Sequence, residues 1–419
     1  MVAQKGHEDD VIALFRKWGL QASVIGEVTD DGILTVLDGG VEVASVPADF
    51  LTEPPRYDLP RERPAYLDQA WSFDLAGLPE PADYGQTLLT LLATPNICSK
   101  RWVWEQYDHM VQANTVAGPG GDAAVIRIRE AGSVGVAVTL DGNSRQVYLD
   151  PYEGARLNVA EAARNLACVG ADPRIVTDGL NFGNPDKPDR YYQFYEAVRG
   201  IADACRQFDL AVVSGNVSFY NESPEGAIHP TPIIGMLGVL PDVARHAGIG
   251  FQGAGDEIWL VGDLQPRGSL AGSEYLATVH GTEAGRPATL NLELELALQD
   301  VVRGLVQDGL VRSAHDCADG GLAVNLAESC MAGKVGARIE LPGGISAEAL
   351  FGEAPSRIVI SLSSEAGAEA RRRLEAAGVP LAVLGETGGD RLTINEALDI
   401  HLAELEATWE RTIPTAMQP

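Results

Sequence analysis

The chain has 419 residues, 45% hydrophobic and 21% charged, which suits a soluble globular protein of two or three domains with substantial cores. Its formal net charge of −28 argues against nucleic acid or an anionic membrane as partner, because phosphates are repelled over most of the surface. Five cysteines (Cys98, Cys168, Cys205, Cys317, Cys330) form no Cys-x-x-Cys pair, and no apolar run reaches membrane-spanning length. These features predict a cytoplasmic protein with reduced, buried thiols.

In chain order, Val11, Leu14, Phe15 and Trp18 recur at helical spacing and are followed by Gly19. A strand is predicted at Ala22–Ile25, a turn at Thr29–Gly32, and a second strand at Ile33–Leu37. The pattern returns near the other end. Residues 382–394 (AVLGETGGDRLTI) echo residues 23–36 (SVIGEVTDDGILTV), with Gly378 at the place of Gly19 and Leu374 at that of Phe15. This is an internal repeat. It sets Met1 opposite Ile360, in mid-strand, so residues 1–50 read as the remnant of a first copy's C-terminal domain.

Residues 51–85 hold Pro54, Pro55, Pro60, Pro64, Pro79 and Pro81 and read as a surface linker, docked by Trp71 and Phe73. Helices follow at Gln86–Leu92 and Lys100–Val111, the second with Trp102, Trp104 and Tyr107 expected in the core. Strands are expected at Ala123–Ile128, Val134–Leu140 and Val147–Leu149, with Asp122 in the preceding Gly-rich turn. A helix is placed at Val159–Val169 with Asn158 as its N-cap.

Two apolar strands, Arg174–Thr177 and Leu210–Val213, then flank an amphipathic helix. Each runs into an Asp/Asn- and Gly-rich stretch, Asp178-Gly-Leu-Asn-Phe-Gly-Asn-Pro and Ser214-Gly-Asn-Val-Ser218. Such a pair suggests the mouth of an α/β site, where glycine admits close backbone approach and carboxylates or amides hold a metal or polar ligand. Ordinary turns would use the same residues. Past His229, read as a satisfied loop histidine, comes the apolar run Ile233–Leu240. The Gly248-x-Gly-x-x-Gly253 match lacks the following helix of a dinucleotide site, and no Walker A sequence occurs. Before a helix at Gly321–Met331, His315, Asp316 and Asp319 are expected chiefly to cap it.

The blocks TDGLNFGNP and SGNVSFYNE, with GPGGDAAVIR, YLDPYEGA and SAHDCADGGLAVNLAE, resemble the large subunit of phosphoribosylformylglycinamidine synthase, the PurL type. The resemblance implies an α+β (mixed α/β) fold, an aminoimidazole-ribonucleotide-synthetase-like two-domain unit that is the second copy of the duplication. Residues 86–245 would form the sheet or half-barrel domain and 246–419 the α/β domain. It implies purine biosynthesis, a carbon–nitrogen ligase with glutamine as amido donor. Formylglycinamide ribonucleotide, ATP and ammonia would give formylglycinamidine ribonucleotide, ADP and phosphate. Expected cofactors are ATP and Mg2+. Expected partners are a glutaminase subunit, a small bridging subunit and the small-molecule ribonucleotide substrate.

Matched position by position, Asp178 and Gly215 correspond to ATP contacts, Asn216 to a magnesium ligand and Ser218 to a substrate contact. The family's catalytic histidines have no counterpart here, since the equivalent stretch reads Asp141-Gly-Asn-Ser-Arg145. No catalytic residue is therefore assigned to this chain, which is expected to be inactive alone. Two alternatives remain, a non-catalytic nucleotide-binding scaffold and another ATP-using enzyme of the aminoimidazole ribonucleotide synthetase superfamily.

Overall fold

The computed structural model describes residues 1–53, 57–265 and 267–418, so Pro54 and Pro55 of the expected linker lie outside the described residues. The chain divides into two units, Met1–Asp58 and Leu59–Pro419.

In the first unit, helix α1 (Glu8–Lys17) carries Glu8, Asp9 and Asp10 in its first turn and Arg16 and Lys17 in its last, which suits the helix dipole. It stops at Gly19 (φ +70°), where Leu20 N–H donates to the Phe15 carbonyl at 3.0 Å. Strands β1 (Ile33–Asp38) and β2 (Val41–Pro47) form an antiparallel hairpin turned by Gly39 and Gly40, both at positive φ. None of their residues is buried. The strand expected at Ala22–Ile25 does not form: residues 20–29 have no ladder partner among the described residues, and strand propensity alone does not hold a segment in a sheet.

The second unit opens with the Trp71 indole. It donates to the Leu149 carbonyl at 2.7 Å, and the guanidinium groups of Arg63 and Arg286 each lie over its ring, 4.7 and 4.3 Å from the centroid. Phe73 stays partly exposed. A six-stranded sheet follows, built from β3 (Thr115–Ala117), β4 (Ala124–Arg127), β5 (Gly135–Asp141), β6 (Asp172–Asn181), β7 (Ala211–Ser218) and β8 (Thr231–Leu240). Its order is β3-β4-β5-β8-β6-β7. Helices α2 (Pro151–Cys168) and α3 (Pro188–Gln207) pack on one face, where Val125, Ala137, Val176, Ile234 and Met236 are buried beneath them. The opposite face carries Leu140, 75% exposed, and Ile233, 39% exposed.

Three expectations fail in this region. Val147–Leu149 belongs to a short helix, Ser144–Leu149, because the Asn143 side chain caps it at Gln146 N–H. Helix α2 begins eight residues before the expected start, at Pro151 behind the Asp150 cap. Asn158 lies inside it, donating to the Pro232 carbonyl and accepting from Asn143 N–H. The helix expected over Lys100–Val111 shrinks to Arg101–Trp104, and Trp102 (38%) and Tyr107 (73%) are exposed rather than core.

The remaining elements form a seven-stranded sheet. Its strands are β9 (Glu257–Gly262), β10 (Ser313–Asp316), β11 (Ala337–Ile339), β12 (Arg357–Leu362), β13 (Leu381–Thr387), β14 (Arg391–Ile394) and β15 (Leu398–His401). They lie in the order β10-β12-β9-β13-β11-β14-β15. Helices α4 (Leu292–Gln307) and α6 (Ser364–Ala376) share one apolar core with it, and α5 (Gly321–Gly333) with α7 (Leu402–Ala416) another.

Candidate functional site

Strands β6 and β7 run parallel, joined by α3, and set Asp178 opposite Gly215, Gly179 opposite Asn216 and Asn181 opposite Ser218. The stretches expected to be loops at the strand ends lie partly within the strands: β6 runs on through Asp178–Asn181 and β7 through Ser214–Ser218, while residues 182–185 stay outside the strand. A Cβ on Gly215 would sit 2.4 Å from Asp178 Oδ1 and 2.9 Å from the Asp178 carbonyl oxygen, so glycine lets the Asp178 carboxylate stand over this position, and a larger residue must displace it. Gly179 has the Asn216 amide oxygen at 3.4 Å from the same construction.

Side chains alternate between faces along a strand. Asp178 stands on the helix-covered face and is paired across the sheet with buried Ile234, whose other neighbour is Asp141. Asn216 stands on the open face, as does Ser214, whose hydroxyl donates to Thr177 Oγ1 at 2.8 Å. The four expected site residues are therefore adjacent in the ladder but divided between its faces.

Burial raises the Asp178 carboxyl above the usual range. It pushes Asp141 up to about 7, against hydrogen bonds from Thr139 (3.0 Å) and Asn165 (2.7 Å). Ser218 shares a hydrogen bond with Asn221, which also holds the Phe182 carbonyl. Among the described residues no group of three or more His, Cys, Asp or Glu is arranged to hold a metal ion. For the expected Mg2+, Asn216 can supply one amide oxygen.

A second polar cluster was only partly legible. Arg164 of α2 donates to both oxygens of Asp316 and, at 2.9 Å, to Glu295, all three buried. The His315 ring contacts Asp122 at 2.6 Å and Glu328 at 3.1 Å, while Asp122 also accepts from Asp316 N–H. Burial opposes charge on His315, but these two carboxylates outweigh it and keep the imidazole protonated well above its usual range. Asp319 accepts from Asn143. None of the three caps α5, whose N-cap is Gly320 without a side-chain bond. They tie strand and loop to the first sheet's elements instead. Trp104, Gly121, Asp122, His315, Glu328 and Trp409 line a cavity of about 500 Å³. His229 stacks on Tyr148 and lies 3.3 Å from Glu283, a satisfied loop histidine.

Residues 120–240 match the family described as AIR synthase related protein, N-terminal domain. Residues 1–39 and 253–395 both match its C-terminal domain. The chain belongs to the AIR synthase related family. Over its whole length it is 49% identical to phosphoribosylformylglycinamidine synthase subunit PurL of Moorella thermoacetica and covers 57% of that protein. It is 47% identical to PurL of an Anaeromyxobacter species, covering 56% of it. The fold also matches Thermotoga maritima PurL complexed with FGAR, with a TM-score of 0.62 at 18% identity, over 77% of this chain and 53% of that one. This AIR synthase related chain thus spans little more than half the length of the PurL proteins it matches. No helix among its described residues is long and apolar enough to cross a membrane.

Proposed function

We propose that this chain supplies one wall of the ATP and substrate site of a phosphoribosylformylglycinamidine synthase. In the proposed reaction ATP phosphorylates the amide oxygen of formylglycinamide ribonucleotide. Ammonia attacks the same carbon, phosphate leaves, and formylglycinamidine ribonucleotide and ADP result. Support comes from the PurL relatives and from the Thermotoga maritima structures with FGAR, ATP and ADP. The observation that carries the reading is the parallel pairing of β6 with β7, which sets the Asp178 carboxylate over Gly215, 2.4 Å from where a Cβ would stand.

In this reading the Gly215 backbone approaches the phosphates and Asp178 contacts ATP. Asn216 gives one oxygen to a phosphate-bound magnesium, and the Ser218 hydroxyl contacts the substrate. Glutaminase and bridging subunits are the expected partners, and the similar Thermotoga maritima protein is found in a structure of PurLQS. The scaffold reading has one observation in its favour: Asn143 of the stretch 141–145 is engaged in capping and in holding Asp319.

The test is ADP release with substrate and excess ammonia. The 419-residue chain alone is expected to show none, and adding the uncovered part of a PurL relative to give turnover. Asn216→Ala should then lower kcat by about a hundredfold or more, because positioning and charge stabilisation carry phosphoryl transfer. Robust substrate-dependent turnover by the chain alone would place the active centre elsewhere.

A further inference from the structure

Past the paired ends of β6 and β7 the two segments stay joined. Phe182 is buried and meets Phe194 of α3 edge to face, with ring centroids 5.3 Å apart, and Phe219 meets the same ring at 4.9 Å. One aromatic side chain of α3 thus anchors both the residue after β6 and the residue after β7. Backbone bonds link the segments as well: Phe182 N–H donates to the Ser218 carbonyl at 2.9 Å, and Asn221 N–H to the Phe182 carbonyl at 3.2 Å.

Between Ser218 and Asn221 the chain passes Tyr220 at φ +59°, the left-handed region that a bulky residue adopts only where its surroundings impose it. Beyond this turn the Asn221 side chain reaches back to Ser218. Its amide nitrogen donates to the Ser218 carbonyl at 2.8 Å and to the Phe182 carbonyl at 3.0 Å, which engages both of its protons. Its oxygen is left to accept from the Ser218 hydroxyl, 3.3 Å away. Because the two backbone bonds join the segments without this amide, the side chain is not needed to hold them together.

We propose that Asn221 is a positioning residue for the Ser218 hydroxyl. It transfers the fixed place of Phe182 to the group that meets the substrate, so the hydroxyl is held in one orientation before the substrate arrives. The inference rests on the reading that Ser218 contacts the substrate.

The test is steady-state turnover by the full chain, complemented as for the ADP-release assay, with substrate and ATP varied separately. Ser218→Ala is expected to raise the substrate KM about tenfold or more. Asn221→Ala should raise it about fivefold to tenfold, with kcat and the ATP KM within about twofold of the parent and the melting transition kept. The double variant should go no further than Ser218→Ala alone, since the amide acts through the hydroxyl. Asn221→Gln keeps the amide but displaces it by a methylene, so it should show the same split, and it serves in place of the alanine variant if that one melts early. Additive effects in the double variant would overturn the proposal and leave the reading of Ser218 standing. So would an unchanged substrate KM on replacing Asn221 while Ser218→Ala raises it. An unchanged KM in Ser218→Ala, or no turnover by the complemented parent, would overturn that reading and the proposal with it.

Discussion

Gly215 shows how narrowly the site is built. Gly215→Ala forces the Asp178 carboxyl away from a methyl 2.4 Å distant. The expected cost is about 1–3 kcal/mol, read as a lower urea midpoint together with weaker ATP binding by the complemented assembly. Asp141 gives a pH signature. Its folded value of about 7 lies above the unfolded 3.8, so the folded chain keeps a proton that the unfolded chain has released. That contribution to stability is complete below pH 3.8 and is lost as the pH rises to about 7. Asp141→Asn is expected to melt higher than the parent at pH 8 and to lose that advantage near pH 4. Equal melting at both ends would dismiss the buried carboxyl as the cause. At Arg164, replacement by Met leaves Asp316 and Glu295 buried without their cation. The expected loss is about 3–5 kcal/mol by chemical denaturation.

At the scale of elements, α2 and α3 meet at Gly200, where a Cβ would stand 2.2 Å from the Tyr152 carbonyl oxygen. Gly200→Ala must push the helices apart, and a loss of about 1–3 kcal/mol is expected, checked by the urea midpoint. Apolar periodicity made most elements legible, α3 and β8 among them, because each buries one face. The ends of β6 and β7 were not legible. Asp, Asn and Gly favour turns when only local preference is counted, and the ladder that extends them comes from a strand on the far side of α3. Ser144–Leu149 misled in the opposite way: Val147, Tyr148 and Leu149 have strand propensity, and one cap at Asn143 outweighs it. Asp178, Gly215, Asn216 and Ser218 could be picked out by resemblance, but their division between two faces follows from pairing alone. The bonds of His315 and Asp316 to Asp122 and Arg164 join residues far apart in sequence, so spacing gave no signal for them.

For the molecule as a whole, the two units should differ sharply in persistence. The first buries none of the residues of α1, β1 and β2, whereas the second has extensive apolar cores. Backbone amides of residues 1–47 are expected to exchange rapidly in the isolated chain, with those of α2 and β8 the slowest. Removing residues 1–58 should leave the main melting transition within about 2 °C, since little stability resides there. A larger drop would mean that the first unit is coupled to the rest.

The parallel ladder between β6 and β7 also has a consequence in time. Parallel partners can meet only after the whole crossover has been ordered, so chain-closure entropy precedes any reward from pairing. Strand β7 is the outer strand, attached among the described residues through β6 alone, and Val212, Val213 and Val217 are at least half exposed. It should therefore join late in folding and leave early in unfolding. Val213→Ala is expected to speed unfolding while leaving the refolding rate nearly unchanged, so Gly215 and Asn216 take up their places opposite β6 only as the last step of the chain's assembly.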